Sequence, residues 1–276
     1  MQKIIILLCA LAMAGPAVAL ELVGEPVQGG LIFGQAEPGT EVTLDGEALQ
    51  VSDDGRFVLG FGRDETGVRV LKLITPDGAV QEFSLEVTAR SYDIERIEGL
   101  PPRTVTPDPE AAERIREENR MVAIAKARRD NRADYAQGFA WPATGRVSGV
   151  YGSQRILNGE PRNPHFGVDV AAQTGTLVTA PAPGIVTLTH PDMYFSGGTI
   201  ILDHGHGLSS SFLHLSEILV EAGQRVDTGD PIGRIGATGR ATGPHLDWRM
   251  SWLDRRVDPQ RLVPAMQAEN TGDGGS

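Results

Sequence analysis

Three Asp-Gly dipeptides, Asp45-Gly46, Asp54-Gly55 and Asp77-Gly78, punctuate the first third of the chain, each beside residues that alternate between apolar and polar. Asp-Gly closes tight hairpins because both positions tolerate positive φ, and a period of two matches a strand with one buried face. "GTEVTLDGEAL" turns at Asp45-Gly46, "VSDDGRFVLGF" sets Asp54-Gly55 before Phe57 and Leu59, and "VRVLKLITPDGAVQEFSLEV" reads as two strands joined through Pro76-Asp77-Gly78. Short strands between tight turns predict a small β-sandwich over residues 20–100. No constellation of catalytic residue types falls inside it, so it is expected to be a spacer or docking module.

A Pro-rich linker and a helix are expected over 101–137. Asp108 can cap the helix, Pro109 fits its first position and Glu110 its first turn. The helix is expected to run to about Ala133, with Ile115, Val122 and Ala125 as a thin apolar stripe. From about Trp141 the pattern is again β and rich in glycine, as in "GIVTLTH", "GGTIILDHG", "LSSSFLHLS" and "DPIGRIGATG". A second, antiparallel β domain is expected over 138–265, followed by a disordered tail at 266–276. No phosphate-binding loop and no βαβ repeat appears.

Residues 1–19 read as an export signal: Lys3, an apolar run Ile4–Ala14, the breaker Pro16 and the small-x-small site Ala17-Val18-Ala19. That run is too short to span a bilayer, and no stable membrane span is expected after its removal. Cys9, the sole cysteine, lies within it, so any metal site in the mature chain must use His, Asp or Glu. The net charge of −11 argues against a nucleic-acid partner.

Candidate ligands lie in the second half. In "NPHFGVDVAA", His165 precedes Asp169 by four residues, and Gly167 between them would let the backbone bend so that both face one point. In "GPHLDWRM", His245 and Asp247 are two apart and share a face if the segment is a strand. His214, in the alternating "SSSFLHLS", can be aimed into a cleft. A lone His or Asp in a loop is more often a hydrogen-bonding residue than a ligand, but together these supply a three-ligand site and two further bases. His204 and His206 in "DHGHG" mimic the same spacing at a strand-to-turn junction and are expected to be structural. His190 is expected in a turn, and Trp248 and Trp252 in the core.

The spacing of the first module resembles bacterial immunoglobulin-like modules. From Val147 to Pro259 the order of motifs, "VYGSQR", "HFGVDVAAQTGTLVTAPAPGIV", "GGTIILDHGHGLSSSFLHLS", "VEAGQRVDTGDPIGRIGATGRATGPHLDW" and "VDP", resembles the lysostaphin-type, or LytM-type, zinc endopeptidases of peptidoglycan. The resemblance implies one zinc ion per chain, or another divalent metal, with His165 and Asp169 as the first two ligands and His214 and His245 as catalytic histidines. The third ligand of the family is the second histidine of an HxH motif, and Asp247 stands there instead. Zinc accepts carboxylate oxygen. Two carboxylates and a neutral imidazole cancel its +2 charge, which weakens it as a Lewis acid and suits a harder metal such as manganese. On this count Asp247→His is expected to keep or raise zinc affinity. Arg155 matches a family position near the groove, where it would hold a substrate carboxylate or pair with an acidic neighbour.

The expectation is thus a mainly β protein: an immunoglobulin-like sandwich, a linker helix and a LytM-type peptidase domain. It would be exported to the periplasm or cell envelope and cut peptide stems or cross-links of peptidoglycan. The alternative is a degenerate, non-catalytic member that binds cell wall or activates another wall hydrolase, with hydrolases or division proteins as partners.

Overall fold

A computed structural model describes residues 20–97, 111–157 and 159–266. The expected signal segment, the Pro-rich linker and nearly all of the tail lie outside these residues.

The first module is a sandwich of two small antiparallel sheets. One is ordered β1-β2-β5 (Glu21–Gly24, Leu31–Gln35, Arg56–Gly60) and the other β4-β3-β6-β7 (Glu47–Ala48, Glu41–Leu44, Gly67–Ile74, Val80–Val87). The β3–β4 hairpin turns at Asp45 and Gly46, both at positive φ (52° and 84°), as an Asp-Gly turn requires. Phe57 and Leu59 are fully buried between the sheets with Leu71 and Leu73. Val58, on the opposite face of β5, is buried as well. The outer face of β2 and β5 meets the second domain: Phe33 stacks on Tyr135 with centroids 5.6 Å apart, and Gly60 lies against Trp252 and Val257. One continuous apolar core therefore runs through both domains.

β8 (Ile94–Ile97) leaves the sandwich and pairs in parallel with β10 (Gln154–Leu157), which pairs with β11 (Glu160–Pro161). Helix α1 spans Ala111–Lys126 and stops before the expected Ala133. Its last turn tightens through Ala127 N–H to Ile124 O, and the Arg129 guanidinium donates to the carbonyls of Lys126 and Arg128. Asp130 pairs with Arg128 and Arg132, and Arg132 also pairs with Asp203. The Arg132–Asp203 pair and the hydrogen bond from His206 N–H to Asp130 O, which no helical period encodes, draw the chain off the helix axis.

The second domain is built on a ten-stranded sheet. Its main path is β17-β14-β15-β16-β19-β12-β9 (Arg225–Val226, Gly184–Met193, Gly197–Asp203, Leu208–Ile218, His245–Trp252, Gly167–Ala171, Arg146–Gly149), with β13 (Leu177–Thr179), β18 (Pro231–Ile235) and β20 (Arg255–Val257) to its sides. Side chains alternate along β19: Leu246, Trp248, Met250 and Trp252 enter the core, while His245, Asp247, Arg249 and Ser251 take the other face. α1 covers part of that second face through Met121, Val122 and Ala125 against Leu188 and Ile201. The mainly β architecture matches the sequence reading.

Candidate metal centre

β12 and β19 are antiparallel, and their register sets Asp169 directly opposite Asp247. Like charges facing each other across two strands destabilise a sheet unless a cation answers them. His165 reaches the same place from just ahead of β12, where its backbone is fixed on both sides: His165 N–H donates to Ser153 O and Gly152 N–H to His165 O, each at 2.8 Å. One ligand atom from each of His165, Asp169 and Asp247 lies within 4.8 Å of the others.

His165 Nε2 and Asp169 Oδ1 face each other at 3.2 Å as an ion pair, both atoms are buried, and among the described residues neither has another hydrogen-bond partner. Buried polar atoms are normally satisfied, so two such atoms aimed at one point fit a site for a divalent cation. The donor set, imidazole and carboxylates, suits zinc or another divalent metal. Two glycines clear the space: a Cβ at Gly149 would overlap the Asp169 carboxylate, and one at Gly167 would lie 2.6 Å from Asp247 Oδ1. Gly167 is not at positive φ, so it serves by lacking a side chain rather than by bending the backbone.

His214 and His245 stand beside this cluster, with ring centroids 4.8 Å apart. His214 does not arrive by simple alternation. The β15–β16 register shifts between Gly198 and Ile200, and His214 sits at φ 65° with its N–H bonded to Ser196 O. A bulge of this kind re-aims a side chain, turning His214 away from the core side of Phe212. Its Nδ1 lies 2.8 Å from Thr238 O, and His245 Nδ1 lies 2.8 Å from Gly243 O. Carbonyls only accept, so Nδ1 carries the proton in both rings and each Nε2 keeps a lone pair. His245 Nε2 is 4.0 Å from Asp169 Oδ1. Burial lowers the pKa of His214, favouring the neutral base.

Sequence reading missed Arg249. Its Nε donates to both oxygens of Asp247, at 3.0 and 2.9 Å, and its Nη2 to Oδ2 at 2.5 Å. Burial pushes the Asp247 carboxyl up, and the guanidinium outweighs burial and holds it below the usual carboxylate range. Burial likewise opposes charge on His165, but Asp169 and Asp247 keep its pKa above the ordinary value. The one available signal for Arg249 was its place two residues after Asp247 on a strand, hence on the same face.

The remaining candidates fall elsewhere. His204 is fully buried, with Nδ1 on Pro183 O at 2.7 Å and Nε2 on Ser210 Oγ at 2.8 Å. His206 is held by Tyr135 and Asn131. His190, expected in a turn, lies instead within β14, paired with Thr199 beside a register shift, where its Nδ1 accepts from Asp192 N–H; Trp248 and Trp252 are core residues. Arg155 lies on β10, opposite Glu95 of β8.

The model of peptidase family M23 matches residues 163–259, which contain all five candidate residues. Over 100 residues the chain is 40% identical to the peptidoglycan DD-endopeptidase ShyA of Vibrio cholerae, covering 36% of this chain and 23% of that protein. It is 31% identical over 127 residues to a lipoprotein NlpD/LppB homolog of Pseudomonas aeruginosa, covering 46% of this chain and 40% of that one. The chain thus spans less than half of the length of either curated relative. A crystal structure of a candidate M23 peptidase from Pseudomonas aeruginosa superposes with a TM-score of 0.64 at 30% identity, over 86% of this chain and 95% of that one.

Proposed function

Because the chain belongs to peptidase family M23, we propose that it is a metal-dependent endopeptidase of the cell envelope that hydrolyses peptide stems or cross-links of peptidoglycan. The buried, facing His165 Nε2 and Asp169 Oδ1, with Asp247 across the strands, are the observation that carries this reading. His165, Asp169 and Asp247 would hold one zinc ion, or another divalent cation. That ion supplies a Lewis acid for the scissile carbonyl and for a water.

The chain's own residues do the rest. The free Nε2 lone pairs of His214 and His245 are bases for the attacking water. Once protonated, either ring can donate to the developing oxyanion or to the leaving amine. The hydrogen bonds from Nδ1 to Thr238 O and Gly243 O fix both tautomers and stabilise either ring when it gains a proton. The substrate is peptide in the wall, met after export, in keeping with an acidic chain that favours no nucleic acid. Among the described residues no helix is long and apolar enough to cross a membrane.

One observation favours the second reading, a non-catalytic domain that binds wall or activates another hydrolase: Asp247 already has a cationic partner in Arg249. Release of soluble muropeptides from purified sacculi, with and without chelator, separates the two. Chelator-sensitive release is expected. Stoichiometric metal without release would favour the binding reading, and a chain that takes up no metal would rule out the endopeptidase.

A further inference from the structure

Resting on that metal-site reading, we propose that Arg249 is a positioning residue that makes Asp247 equivalent in charge to a neutral imidazole ligand, so that the carboxylate in this position tunes the site rather than disabling it.

A divalent cation held by Asp169, Asp247 and a neutral His165 would carry no net charge. Arg249 returns one positive charge at hydrogen-bonding distance from Asp247. The Asp247–Arg249 unit is then neutral, and the site as a whole regains the +1 that one carboxylate and two imidazoles would give it.

The geometry permits both partners at once. A carboxylate has about four lone-pair sites. Arg249 takes one edge of the group, with Nε spanning both oxygens and Nη2 on Oδ2. Asp247 still offers a ligand atom within 4.8 Å of those of His165 and Asp169. Arg249 is also confined. Gly167 lies opposite it in register, and a Cβ there would come within 2.6 Å of Arg249 Cγ. Further along the same face, Lys126 Nζ and the Arg256 guanidinium both donate to Ser251 Oγ, at 3.1 and 2.8 Å. The Arg256 guanidinium lies on that side and Asp247 on the other, so Coulomb forces press Arg249 toward the carboxylate. About a third of its side chain reaches solvent.

The inference reverses the sign expected from the sequence for Asp247→His. Placing an imidazole there strips the guanidinium of its partner and leaves an unanswered cation beside the metal.

The test uses the full chain stripped of metal, with cobalt(II) as the probe, its uptake followed by visible absorption, and melting of the metal-free protein measured in parallel. Native protein, Asp247→His, Arg249→Met and the double variant complete a cycle. Asp247→His is expected to weaken cobalt binding by at least about tenfold, and Arg249→Met to tighten it by about fivefold, since a like charge has gone. The double variant should return to within about threefold of native. In the metal-free proteins each single change should lower the melting temperature, and the double variant should recover most of the loss. Cobalt bound by Asp247→His as tightly as by native protein, or additive melting shifts, would overturn the inference and leave the metal site standing. No cobalt uptake by native protein would overturn the proposed function and this inference together. Should Asp247→His fail to fold, unchanged affinity in Arg249→Met still overturns the inference, and tightening there with recovery in the double variant supports it.

Discussion

Two short stretches of this chain have the same spacing and opposite fates: His204-Gly205-His206 and His245-Leu246-Asp247. Both lie at the ends of strands in one sheet, and each sets two ligand-type residues two apart. In the first, all four ring nitrogens have partners: Pro183 O and Ser210 Oγ for His204, Tyr135 Oη and Asn131 Oδ1 for His206. In the second, His245 keeps Nε2 free, and Asp247 faces a carboxylate and an imidazole whose facing atoms have no other hydrogen-bond partner among the described residues. Spacing alone does not make a ligand. What distinguishes the stretches is that the fold spends every ring nitrogen of the first, whereas the second spends one edge of Asp247 on Arg249 and turns the residue toward His165 and Asp169.

The comparison can be broken at several points. The largest effect is expected from Asp169→Ala, which should lose stoichiometric metal and lower chelator-sensitive muropeptide release by on the order of 10³-fold or more. His206→Ala should keep its metal by the same metal analysis, and loss of metal there would erase the distinction. Next, His214→Ala should keep metal while kcat on sacculi falls by about 10²- to 10⁴-fold, the range for a lost acid–base group. Metal lost along with activity would recast His214 as a ligand.

The third prediction concerns acid stability. Burial holds the His204 pKa at about 4, against the ordinary 6.5, so the folded ring stays neutral while the unfolded one takes up a proton. Stability from this group is complete above pH 6.5 and is lost as pH falls toward 4, by about 3 kcal/mol in all. Denaturant melts of His204→Asn between pH 7 and 5 should show a shallower decline than native protein, with muropeptide release at neutral pH unchanged within about twofold. Equal slopes would refute the assignment.

The smallest effect sharpens the other side. A metal needs neutral His165, whose pKa in the metal-free protein is raised by Asp169 and Asp247 against the effect of burial. Cobalt affinity should therefore decline as pH is lowered, starting above 6.5 and approaching about tenfold per pH unit. A flat profile down to pH 6 would count against His165 as a ligand.

Much of this was legible in the sequence, for identifiable reasons. Strands flanking Asp45-Gly46 and Asp77-Gly78 follow from turn chemistry and alternation, both local. His165, Asp169 and Asp247 were legible as candidates because spacing put them on strands or strand ends, and the resemblance joined them. What escaped was non-local. Val58 is buried because a second domain covers its face. The helix ends at Lys126 because Asp130 and Arg132 have partners far along the chain. The bulge at His214 comes from a one-residue mismatch with β15, and Arg249 belongs to no motif.

The arrangement around Gly152 bears on how the protein can be dissected. Arg63 of the first module donates through Nε and Nη2 to Gly152 O, at 2.9 and 2.8 Å, and lies over the Tyr92 ring; Gly152 in turn grips the His165 carbonyl. The candidate ligand His165 thus hangs from a strut rooted about a hundred residues upstream. A fragment trimmed to residues 163–259, the part the family model matches, would carry all five candidate residues and lack that strut, so weak activity in such a truncation would speak of lost scaffolding rather than of failed chemistry.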